Sequence, residues 1–108
     1  LTPKQAFFFW GDKMLDKVKV AGVTYNIETP DEIEDDPDKI GNCIYMKQLI
    51  RVKANMSKER RDQTFVHELL HAIFFEAGYT DSDHEEMVNR LSLVLYQVLK
   101  DNPRLLTE

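Results

Sequence analysis

The sequence is short of several things, and each shortage excludes something. It holds a single cysteine, Cys43, so no disulfide can form within the chain, and a reducing, cytoplasmic setting is expected. No apolar run approaches the ~20 residues that cross a bilayer. The aromatic cluster Phe7 to Trp10 is too short for a secretory leader and lacks a small-residue cleavage site. Neither a membrane role nor secretion is expected. Glycine and proline number four each, too few for a low-complexity linker, and no internal repeat is present. Cations are also in deficit, with 14 Lys and Arg against 19 Asp and Glu, a net charge of −5. Phosphate neutralisation needs a cationic surface, so direct nucleic-acid binding is not expected.

What remains suffices for one domain. A chain of 108 residues buries roughly two-thirds of its unfolded surface. Its 43% hydrophobic and 31% charged residues match an ordinary globular composition. Residues 1–16 read as an N-terminal segment to which no role can be given, with a weak helical pattern over residues 3–16. Residues 17–108 read as a single domain.

Within that domain Val18, Val20, Val23, Tyr25 and Ile27 mostly alternate with polar neighbours, a strand pattern with a turn or bulge at Gly22. Pro30, Pro37, Gly41 and a run of acidic residues mark Thr29 to Asn42 as a loop. The acids of residues 28–38 and the later cations, Lys47 to Arg61, read as solvated faces of opposite sign. Cys43 to Met46 and Leu49 to Ala54 read as two strands joined at Lys47-Gln48, with Cys43 as core filler.

Two helices follow. Ser57 is a good N-cap and Gly78 a natural residue just past a helix end. Between them Val66, Leu70, Ile73 and Ala77 form an apolar stripe, widened by Leu69, Phe74 and Phe75. The last helix is expected from Ser82 or Asp83 to Asp101, stopped by Asn102-Pro103, with a stripe of Val88, Leu91, Leu95 and Val98 or Leu99. Strands first and packed helices second predict an α+β domain, a small antiparallel or mixed sheet against a central helix and a C-terminal helix.

The central helix carries His67-Glu68-Leu69-Leu70-His71, an H-E-x-x-H motif. Residues i and i+4 lie one turn apart on one face, so both imidazoles can reach one cation. Glu68 can lean over the open side of that cation and take a proton from water there. Two imidazoles with a carboxylate suit Zn2+ better than Mg2+ or Ca2+. Histidines and a glutamate are costly in an apolar helix unless something pairs them. The competing role, two core histidines bonded to backbone, leaves their metal spacing and the placement of Glu68 unexplained.

A catalytic zinc needs a third protein ligand and an open position. The turn Gly78 to Ser82 lets the last helix fold back, and its first turns offer Asp83, His84, Glu85 and Glu86. Glu85 and Asn89 stand one turn apart, so the carboxylate can ligate while the amide steadies a ligand histidine. Ser82 to Glu85 also matches a capping box, and Glu86, His84 and Asp83 remain alternative ligands. For an oxyanion stabiliser the candidates are Tyr45, Tyr79, His84 and Tyr96. A hairpin ahead of the helix, around Leu49 to Val52, can offer an edge to an extended peptide.

The run from Glu59 through HELLHAIFFEAG, followed by Glu85-Glu86-Met87-Val88-Asn89-Arg90-Leu91-Ser92, resembles the ImmA/IrrE-like metallopeptidases. The short form resembles the single-domain versions carried by phages and mobile elements. The resemblance covers roughly residues 17–103. It implies a zincin-like minimal core and a later-helix glutamate in an E-x-x-A-N/D-x-F-A pattern, which falls on Glu85 with Asn89 as polar partner. Val88, Leu91 and Ser92 depart from the usual small, aromatic and small residues. Family members cleave repressor-like or regulatory proteins, often beside a helix-turn-helix domain that is not seen here.

The expected function is therefore zinc-dependent endopeptidase action on a protein or peptide substrate, with His67, His71 and Glu85 holding the metal and Glu68 as general base. The alternative is a catalytically silent, zinc-stabilised protein-binding module. A third reading is a metal-free protein that associates through its last helix.

Overall fold

A computed structural model describes residues 9, 10 and 13–106 of the chain. Phe9–Trp10 (β1) and Lys13–Met14 (β2) pair antiparallel as a short ladder. These four residues are extended, against the helix expected over 3–16; the rest of residues 1–12 lie outside the described residues.

The main sheet has four strands, Lys17–Val20 (β3), Val23–Glu28 (β4), Gly41–Ile44 (β5) and Leu49–Val52 (β6). The alternating run around Gly22 is a hairpin, β3 against β4, turned at Ala21 and Gly22, both at positive φ. The spatial order is β3-β4-β6-β5, so β6 inserts between β4 and β5. It runs parallel to β4 and antiparallel to β5, which makes the sheet mixed. β5 begins at Gly41, earlier than the expected Cys43, and ends at Ile44. A 3-10 turn over Tyr45–Lys47 follows. Gln48 completes the reversal with φ 51°, its side-chain amide donating to Thr24 O at 2.8 Å. That anchor replaces the Gly or Asn such a turn favours.

Pleating sends Tyr25 and Ile27 of β4 and Ile50 and Val52 of β6 inward, where they meet Val20, Phe65 and Ala72 in one core. The Tyr25 ring is fully buried and its hydroxyl donates to Glu76 at 2.7 Å. The acidic loop between β4 and β5 is tied down. Ile33 is buried within it, Ala54 N donates to Pro30 O and Lys53 N to Ile40 O, both at 2.9 Å.

Lys58–Glu76 (α1) starts where Ser57 Oγ accepts the amide of Arg60. It ends in a Schellman arrangement: Gly78 N donates to Phe75 O and Tyr79 N to Phe74 O, both at 2.9 Å. Gly78 sits at φ 101°, and the Tyr79 ring packs edge-on against Phe74 at 5.5 Å. That tight end lets Asp81–Asp101 (α2) turn straight back beside α1. Far along the pair, Lys100 Nζ meets Glu59 Oε2 at 3.0 Å.

Both apolar stripes hold only in part, with Val66, Leu70 and Val88 buried as expected. Ile73 and Ala77 of α1 are exposed, and Phe65, Val66 and Ala72 carry the buried face. On α2 the buried row is His84, Val88, Ser92 and Tyr96, while Leu91 is 47% exposed. No described helix is long and apolar enough to cross a membrane.

Candidate metal and catalytic site

His67, Glu68 and His71 lie in the second half of α1, on the side turned toward β5 and α2. Glu68 and His71 are each only 8% exposed. The two imidazoles stand 5.0 Å apart between ring centroids, as an i, i+4 pair on one helix face should. Because Gly78 sends α2 back antiparallel, the first turn of α2 reaches the same place. There Glu85 Oε1 lies 3.5 Å from His71 Nε2. Glu86, the alternative carboxylate, is turned outward into a pair with Arg90, Oε2 to Nη2 at 3.0 Å.

Among the described residues, His67, His71 and Glu85 form a group whose potential ligand atoms all lie within 4.8 Å of one another. Donors about 2.1 Å from a tetrahedral zinc ion stand about 3.4 Å apart. The His71–Glu85 edge already has that length, so two nitrogens and one oxygen fit such an ion after small side-chain rotations. Burial pushes the His67 imidazole below its ordinary pKa, against an opposing pull from Glu85, and so keeps it neutral. Neutral imidazole is the form that ligates.

The group opens on a cleft of about 460 Å3, within the range of ligand sites. Glu68, Gly41, Asn42 and Cys43 line it from α1 and β5, and Glu34 and Lys39 from the acidic loop. Gly41 is required where it stands: a Cβ there would lie 2.6 Å from Thr64 Cγ2 and 3.1 Å from Glu68 Oε2. The edge strand therefore rests almost on the Glu68 carboxylate. Burial pushes the Glu68 pKa up to about 7, opposed by Lys39 and reinforced by Glu85 and Glu34. A base poised near neutrality is well matched to taking a proton from water and returning it. Asn42 Nδ2 donates to Glu34 Oε2 at 2.7 Å, and Lys39 pairs with Glu34 at 3.5 Å, which fixes the roof of the cleft.

Other expectations fare differently. Asn89 is exposed; the hydroxyl beside the other histidine is Ser92 Oγ, 3.5 Å from His67 Nδ1. His84 is fully buried and faces His71, away from any substrate. Of the four oxyanion candidates Tyr45 lines the cleft, its ring stacked on Phe75 at 4.2 Å. Tyr79 lies over Phe74, and Tyr96 is buried beside Lys100. β6 is an interior strand, so Leu49 to Val52 offer no edge, and β5 does. The sequence pattern missed Glu34, Lys39, Gly41 and Asn42. They reach the site only because the loop folds back over it, and Gly41 beside a β-prone run is the one signal that pointed there.

A mixed sheet on a helix carrying H-E-x-x-H, with a carboxylate returned by the next helix, has the layout of a small metallopeptidase-like domain. Residues 17–91 match the IrrE N-terminal-like domain, and the chain belongs to that M78 peptidase family, a family of zinc metallopeptidases. Comparison with curated proteins and with solved structures gave no significant match.

Proposed function

We propose that this chain is a zinc-dependent endopeptidase that hydrolyses peptide bonds in a protein substrate, with His67, His71 and Glu85 holding the metal. The observation that carries the reading is the convergence of those three side chains beside a buried carboxylate, Glu68, at the floor of an open cleft. A zinc ion held by His67, His71 and Glu85 would supply Lewis acidity toward the scissile carbonyl and the attacking water. Glu68 takes the proton of that water and passes it to the departing amine. Of the oxyanion candidates Tyr45 lines the cleft, and to it we assign donation to the developing oxyanion. The outer edge of β5 supports an extended peptide through backbone hydrogen bonds. A regulatory protein of the cytoplasm, as the family resemblance implies, is the class of substrate we favour.

The experiment is metal analysis joined to proteolysis. Wild-type protein purified without added zinc should carry about one equivalent and cleave a peptide library. Glu68→Gln should keep the metal and lose cleavage by at least ~100-fold. A wild type that holds its zinc yet cleaves nothing would instead support the silent binding module.

A further inference from the structure

His71 meets a different group at each ring nitrogen. Nε2 faces the Glu85 carboxylate at 3.5 Å, and Nδ1 lies 3.0 Å from Nε2 of His84. His84 stands one residue before Glu85 on α2, is 0% exposed, and stacks on Phe74 with ring planes 11° apart and centroids at 5.4 Å. With no surface on the cleft, it serves neither as a ligand from solvent nor as a donor to substrate. Its place is behind the ligand, one step further from the metal.

A neutral imidazole carries one N–H and one lone pair, and the partner of one nitrogen decides which nitrogen has which. For His71 to present its Nε2 lone pair beside Glu85, its proton must sit on Nδ1. That Nδ1–H points into the protein interior toward His84, whose own proton then sits on its buried Nδ1. His84 Nε2 is at hydrogen-bonding distance to accept from the His71 Nδ1–H. Were the bond reversed, with His84 donating, the His71 proton would move to Nε2 and block the nitrogen facing Glu85.

We propose that His84 is a positioning residue: its Nε2 accepts the Nδ1–H of His71 and holds that ring in the tautomer and orientation that offer Nε2 to a divalent cation. This rests on the zinc-site reading above. Ser92 stands in the corresponding place behind His67, but at 3.5 Å its contact is long, so its part is smaller. The same side of α2 that brings Glu85 to the metal thus also braces both histidines from behind.

The test measures zinc affinity of metal-free protein at one fixed pH, by competition with a chromophoric chelator. His84→Phe keeps a flat ring against Phe74 but removes the acceptor; His84→Gln restores an acceptor oxygen at a similar reach. We expect zinc to bind His84→Phe about 10–100-fold more weakly than wild type, and His84→Gln to recover to within a few-fold. Ser92→Ala should lose less than about 3-fold. Melting of the metal-free proteins should not follow that order, because the bond acts on the ligand and not on the core. Should His84→Phe fail to fold, His84→Asn takes its place: the shorter amide falls short of Nδ1 and should bind zinc weakly while His84→Gln binds well. Wild-type affinity in a folded His84→Phe or His84→Asn, or a folded His84→Gln as weak as His84→Phe, overturns the proposal. A wild type that takes up no zinc overturns the metal-site reading itself, and the two failures are thereby told apart.

Discussion

The role of base proposed for Glu68 rests on its being uncomfortable where it stands. Its folded-state pKa of about 7 exceeds the ordinary 4.5, since burial disfavours the anion. The folded protein therefore holds a proton that the unfolded chain gives up, and the metal-free fold loses stability as pH rises from 4.5 to about 7. The loss levels off above that window at about 3 kcal/mol. Glu68→Gln removes this penalty. In chelator-treated protein, urea unfolding should show the variant about 3 kcal/mol more stable than wild type at pH 8, converging at pH 4.5. His67, held below its usual pKa, destabilises both proteins as pH falls through 6.5, so it cancels in the comparison. A wild type as stable as the variant at pH 8 would show that the carboxylate is not desolvated.

Gly41 is the other residue on which the site depends. A methyl group there collides with Thr64, whose hydroxyl is already bonded to Arg60 O at 2.8 Å, and presses on Glu68. Gly41→Ala should cost roughly 1–3 kcal/mol. It should also depress cleavage far more than zinc affinity, since it displaces the base and not the ligands. Calorimetry checks the first half, and a cleavage assay beside zinc titration on the same sample checks the second.

At the scale of elements, the end of α1 decides whether α2 arrives in register. The two Schellman hydrogen bonds and the Tyr79–Phe74 contact all depend on Gly78 at φ 101°. A side chain is strained there, so Gly78→Ala should lower stability by about 1–2 kcal/mol. It should also weaken zinc binding, because Glu85 lies one turn beyond the bend. Unchanged stability would mean the turn relaxes freely. The two helices were the most legible part of the sequence: cap residues Ser57 and Gly78 and the stop at Asn102-Pro103 lie within a residue or so of the observed ends. Their faces were less legible, for a physical reason. The buried row of α2 alternates polar and apolar side chains, His84 and Ser92 with Val88 and Tyr96, because it faces the two histidines of α1. Hydrophobic periodicity points instead to Leu91, which is half exposed. A site inside a helix pair rotates the apparent apolar stripe.

For the whole molecule, strands ahead of packed helices gave the α+β class, but not the sheet order. Hairpins alone would place β5 beside β4; the structure inserts β6 between them and leaves β5 at the edge. Nothing local encodes that choice, since it is made by Ile50 and Val52 entering the same core as Tyr25 and Ile27. The insertion carries Gly41 and Asn42, with the loop bearing Glu34 and Lys39, onto the histidines. It therefore builds the cleft that the H-E-x-x-H motif alone cannot describe. By the same topology a zinc ion held by His67, His71 and Glu85 would tie α1 to α2 and should stabilise the fold as a whole. At a hundredfold excess over its dissociation constant zinc should add about 2.7 kcal/mol, seen as a rise in melting temperature that Glu85→Gln diminishes.

The most direct measurement is X-ray absorption at the zinc edge of stoichiometrically loaded protein. The account predicts a shell of nitrogen and oxygen at ~2.0–2.2 Å, with the multiple-scattering signature of two imidazoles and one light atom replaced in Glu85→Gln. A sulfur scatterer at ~2.3 Å, which would have to come from Cys43, or a shell unchanged in His67→Ala, would contradict it.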